Sequence, residues 1–144
     1  MLEQRMSVIT IGVADIKRSR AFYEKLGWKS SHKSTEEVVF FQLNGLILAI
    51  WGQEELAQDA GLQMKAGTQF KGVALAYNVR TKEEVAAILD LAQKLGGRIT
   101  RKAQGVSWGG HTGYFTDPDG HLWEIAYNPF WPLDEKGNIR IGDE

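Results

Sequence analysis

The sequence predicts an α+β protein made of two tandem βαβββ modules within a single domain, residues 1–144. Three observations carry this. A β-branched run followed by an amphipathic helical stretch occurs twice, and each helical stretch ends on glycine. Each copy also closes on a hairpin whose turn residues are unmistakable. Module one spans about 7–51, a linker 52–69, module two about 70–128, and a tail 129–144.

In module one, Ser7–Val13 is β-branched and reads as a strand. Asp15 offers an N-cap, and Ile16, Ser19, Phe22, Tyr23 and Leu26 share one helical face. Gly27 stands where a C′ glycine is expected. Val38–Leu43 and Leu46–Trp51 are apolar runs joined by Asn44-Gly45, which predicts a hairpin with a type I′ turn. In the linker, Glu54–Ala60 suits one or two helical turns, with Gly61 and Gly67 as breakers.

Module two repeats the order. Gly72–Val79 is a strand, and Thr81 with Glu84 forms the T-x-x-E pattern of a capping box. Val85, Ile88, Leu89, Ala92 and Leu95 make the apolar stripe that Gly96-Gly97 ends. Ile99–Ala103 is a short strand, and Tyr114–Thr116 and Leu122–Tyr127 flank the turn Asp117-Pro118-Asp119-Gly120. The spacing between matching residues widens slowly, from Val13/Val79 to Leu26/Leu95 to Gly45/Gly120, as two diverged copies would show. In the tail, Pro129 and Pro132 stop the strand, and Phe130 and Trp131 are expected to pack on the domain or on a partner subunit. Lys136-Gly137-Asn138 reads as a further turn.

Composition excludes several functions. Seventeen Lys and Arg against eighteen Asp and Glu leave a net charge of −1, so no basic patch for nucleic acid or an anionic membrane is expected. Cysteine is absent, which removes disulfides, thiolate metal sites and a cysteine nucleophile. The apolar run Val8–Val13 is too short for a signal segment or a membrane span, so a cytoplasmic location is expected.

The stretch Val13-Ala14-Asp15…Ala21-Phe22-Tyr23-Glu24-Lys25-Leu26-Gly27, together with Leu95-Gly96-Gly97 and Phe115-Thr116-Asp117-Pro118-Asp119-Gly120-His121-Leu122-Trp123-Glu124-Ile125, resembles the vicinal oxygen chelate superfamily, the glyoxalase, bleomycin-resistance and ring-cleaving dioxygenase group. The likeness runs from about Ser7 to Asn128. It implies modules that curl into a cup-shaped mixed sheet, commonly in a homodimer, with a divalent ion in the cup of metal-using members. In that family the metal ligands lie on the first and last strands of each module. The matching positions here are Val8 and Ala49 in module one, and Ala74 (or Gly72 on a second alignment) and Glu124 in module two. One carboxylate thus stands among four positions, too few for a divalent ion. No cofactor is expected, and a divalent metal is the alternative.

Glu124, alone in the apolar strand Leu122–Tyr127, is a candidate general base or a partner for a cationic ligand; a carboxylate in an apolar cup would have a raised pKa. A relict paired with an arginine or a buried water is the plain alternative. His111, after Ser107-Trp108-Gly109-Gly110, is a candidate proton carrier or replacement ligand beside Glu124, or else a solvated loop histidine. Trp51 and Trp108 could stack on a planar ligand, with Val8, Ala49, Ala74 and Phe115 as further ligand-binding candidates. His121 and His32 read as hairpin and surface residues. Three functions stay in view: a metal-free binder of a small planar or aromatic molecule, a metal-dependent lyase, isomerase or dioxygenase using Glu124 and His111, and an interaction module.

Overall fold

In the computed structural model, residues 2–64, 70–139 and 141 are described, so the expected breaker Gly67 lies outside the described residues. The chain forms two compact units, Met1–Thr68 and Gln69–Glu144.

The first unit contains β1 (Val8–Val13), α1 (Ile16–Lys25), β2 (Val38–Gln42), β3 (Ile47–Gly52) and α2 (Gln53–Asp59). Its sheet has the order β1-β3-β2, with β1 parallel and β2 antiparallel to the central β3. Asp15 caps α1 as expected, its side chain accepting from the Arg18 amide at 3.1 Å. The helix buries Ser19, Phe22 and Tyr23. Alternation in β1–β3 gives them Val13, Val39, Phe41, Leu48 and Ile50, all buried, as an apolar floor. Trp28 follows the helix and stacks on Tyr23 at 5.6 Å between ring centroids, with Phe41 tilted against both. That aromatic cluster locks α1 to the sheet.

Two details of this unit differ from expectation. At the hairpin, only Gly45 takes a positive φ, 79°, and Asn44 does not, so the turn is not type I′. The expected order strand–helix–strand–strand–strand also lacks one strand here, because residues 29–37 form none. The reason is local chemistry. Hydroxyl oxygens of Ser34 and Thr35 accept from the amides of Phe40 and Val38, taking donors that a strand neighbour would need. Only scattered backbone bonds such as Ser31 N–H to Phe40 O, 2.7 Å, remain.

The second unit contains β4 (Leu75–Val79), α3 (Glu83–Lys94), β5 (Arg98–Gly105), β6 (His111–Thr116) and β7 (Leu122–Tyr127), in a sheet of order β4-β7-β6-β5. β4 begins later than predicted because Gly72, at φ 78°, breaks the extended run before it. β5 is longer than predicted and bulges twice around Arg101. The capping box forms from one side: the Glu84 carboxylate accepts from the Thr81 and Arg80 amides at 3.0 and 2.9 Å, and the helix begins at Glu83. The buried stripe Val85, Leu89 and Ala92 faces a sheet surface carrying Phe115, Trp123 and Ile125. Close approach depends on Gly113, where any Cβ would collide with the Leu89 side chain and meet Ala103 N at 3.1 Å.

The β6–β7 turn is built on Asp117, 3% exposed, whose Oδ1 accepts from the Asp119 and His121 amides at 2.9 Å each. In the tail, Leu133 bridges Ile139, and Asp134 organises the predicted turn by accepting from the Lys136 and Asn138 amides. Phe130 and Trp131 remain 67% and 40% exposed, so packing on this chain does not bury them. Among the described residues, these parts make a mixed α+β structure with three helices and sheets of three and four strands.

Candidate functional site

The face of the four-stranded sheet turned away from α3 carries the most chemistry. Along β7, Trp123 and Ile125 are buried toward the helix, so alternation turns Leu122, Glu124 and Ala126 to the far face. Strand register then sets one residue from each strand in a row: Arg101 opposite Tyr114, Tyr114 opposite Glu124, and Glu124 beside Ala76. Arg101, Tyr114 and Glu124 are each half-buried.

The row is bonded. The Tyr114 hydroxyl donates to Glu124 Oε2 at 2.8 Å. The Arg101 guanidinium lies over the Tyr114 ring, 5.1 Å from its centroid, and donates to Thr112 Oγ1. Glu124 is therefore not left among apolar neighbours. Its hydrogen bond holds the Tyr114 phenol above the usual tyrosine range, burial and the carboxylate charge adding to the effect and Arg101 opposing it. At neutral pH Tyr114 is thus a donor, and the carboxylate it orients keeps Oε1 for another group.

The other sequence candidates are placed as follows. His111 opens β6 opposite Tyr127, which puts it on the α3 side, so it and Glu124 point to opposite faces and do not converge. Phe115 lies on that side too, 3% exposed and stacked on Trp123 at 6.4 Å. Trp108 is 47% exposed in the β5–β6 loop, its indole lying close over Gly110, where it leaves no room for a Cβ. Ala74 precedes β4, so the cross-strand neighbour of Glu124 is Ala76. In the first unit, Val8 pairs with Ile47 and Trp51 with Gly12, while Ala49 sits between Thr10 and Phe40. His32 is exposed, as expected.

Sequence reasoning missed Tyr114 and Arg101. Tyr114 was discoverable: counting outward by pairs from the Asp117–Gly120 turn brings it opposite Glu124. Arg101 was not, because the two bulges in β5 shift its register.

A family model described as the Glyoxalase/Bleomycin resistance protein/Dioxygenase superfamily matches residues 5–125. The chain belongs to this superfamily. Among solved structures of the superfamily's fold, it is similar to a glyoxalase-related enzyme from Fulvimarina pelagi, with 38% identity and a TM-score of 0.88 over 98% of this chain and 100% of that one. It is also similar to a glyoxalase/bleomycin resistance protein/dioxygenase family enzyme from Burkholderia phytofirmans PsJN, with 21% identity and a TM-score of 0.72 over 84% and 96% of the two chains. A curated relative, the metallothiol transferase FosB of Lysinibacillus sphaericus (strain C3-41), is 25% identical over 125 residues, which are 87% of this chain and 83% of that protein.

The superfamily's divalent ion does not fit the residues present. The positions that match its ligand sites are Val8 and Ala49 in one unit and Ala74 (or Gly72) and Glu124 in the other, with Ala76 the cross-strand neighbour of Glu124. They supply one carboxylate, already bonded to Tyr114. Among the described residues, no three His, Asp or Glu side chains are grouped so as to hold a metal ion.

Proposed function

We propose that this superfamily member binds a small planar or aromatic molecule on the Tyr114–Glu124 face without the inherited metal ion. One observation carries the reading: the single carboxylate at the metal-ligand positions is engaged by a phenol at 2.8 Å and flanked by alanine. A bonded carboxylate beside an aromatic ring and an apolar floor recognises an organic donor group better than it chelates a cation. Trp108, in the β5–β6 loop of the same unit, is a further stacking surface in this reading, and a cytoplasmic homodimer is the assembly it assumes. No helix among the described residues is long and apolar enough to cross a membrane.

Thermal-shift screening of planar aromatic compounds tests the proposal. The expected result is a set of hits whose stabilisation shrinks in Tyr114→Phe and Glu124→Gln, since a ligand selective for the native state raises its stability. Absence of any hit across a broad library contradicts it.

A second reading, a metal-dependent enzyme, is favoured by the names of two relatives, a metallothiol transferase and a glyoxalase-related enzyme. That reading requires a divalent ion at Glu124 with donors from outside the row, and His111 does not share the Glu124 face.

A further inference from the structure

The row across the four-stranded sheet is also an ordered sequence of charge. Arg101 stands at one end, the Tyr114 ring in the middle, Glu124 beyond it and Ala76 at the far edge. Strands lie about 4.8 Å apart, so the two charged residues are anchored roughly 10 Å from one another with an aromatic floor between.

Neither charge is neutralised. Arg101 uses two of its five donors, one on Thr112 and a long contact of 3.5 Å to the Lys102 carbonyl. Glu124 accepts from Tyr114 alone, and neither residue is ion-paired among the described residues. Two half-exposed opposite charges held apart are solvated by water, and a ligand with complementary charges at matching spacing replaces that water at both ends. Tyr114 stands between the two, its ring face under Arg101 and its hydroxyl bonded to Glu124, with Arg101 also acting on that hydroxyl.

We infer that the ligand is dipolar: an anionic group such as a carboxylate or phosphonate meets Arg101, an ammonium or other N–H donor meets Glu124 Oε1, and a flat body lies against Tyr114. This inference rests on the Tyr114–Glu124 face being the binding site. It goes further by assigning Arg101 as the residue that selects for the anionic end.

The test uses four benzene derivatives with the whole protein: 4-(aminomethyl)benzoate, benzoate, benzylamine and 4-methylbenzamide, each titrated by calorimetry. The zwitterion is expected to bind about tenfold or more tightly than either singly charged probe. Arg101→Gln should abolish its advantage over benzylamine, and Glu124→Gln its advantage over benzoate, each leaving the other intact. Circular dichroism of both variants controls for folding, and Arg101→Lys, which keeps the charge, should retain part of the preference. A zwitterion that binds no more tightly than the singly charged probes overturns the inference, and so does a preference that both variants erase alike. If none of the four binds while uncharged planar compounds stabilise the protein through Tyr114, the dipolar assignment fails and the binding face stands. If no planar compound of any charge binds, both fail.

Discussion

At the residue scale, everything turns on one hydrogen bond. Tyr114 donates to Glu124 across the β6–β7 pair, so the phenol is held protonated and the carboxylate is held in place. Tyr114→Phe should cost about 1 kcal/mol of stability, the net worth of one such bond, read by denaturant unfolding. The pH dependence has a definite sign. The folded pKa of Tyr114 lies above the unfolded one, so its contribution is complete below the ordinary tyrosine pKa and fades as pH rises through the folded value. Ultraviolet titration should therefore show one late-ionising tyrosine that returns toward the ordinary range in Glu124→Gln and disappears in Tyr114→Phe. An unchanged titration in Glu124→Gln contradicts the assignment. Glu124 was visible in the sequence because a lone charge in Leu122–Tyr127 has no packing explanation. Tyr114 was hidden because an aromatic in a strand looks like core, and only register distinguishes the two faces.

At the scale of the element, helices and hairpins were legible wherever a local signal decides the backbone. Asp15, Glu84 and Asp117 each satisfy orphan amides at the end or turn where the sequence places them. The failures occur where side chains compete with the ladder or where a bulge resets the count. Ser34 and Thr35 cap β2 amides and so remove a strand from module one; two bulges around Arg101 conceal the row that it begins. Packing of α3 on the sheet sets the orientation of β6 and hence of Tyr114. Gly113 permits that packing, since a methyl group there would strike Leu89 on the helix and crowd the β5 backbone at Ala103. Gly113→Ala should destabilise the protein by about 1–3 kcal/mol, as overpacking does, and should weaken ligand binding in proportion to the shift of β6. Thermal unfolding checks the first effect; a stability equal to wild type would show that α3 does not rest on Gly113.

For the whole molecule, repetition was the most informative property of the sequence. It predicted two units of like order, and the structure contains Met1–Thr68 and Gln69–Glu144 with β1 beside β3 and β4 beside β7 in matching parallel pairs. Comparing the units at equivalent positions separates inheritance from function. At the positions that match the superfamily's metal ligands this chain places Val8, Ala49 and Ala74, and the remaining carboxylate, Glu124, is committed to a phenol. The superfamily fold is therefore retained while the ion-binding set is not. Calorimetric titration of metal-stripped protein with nickel, zinc, manganese and ferrous ions is the most direct test of that claim. The account predicts no stoichiometric heat with any of the four. One ion bound tightly per chain, lost in Glu124→Gln, would contradict it.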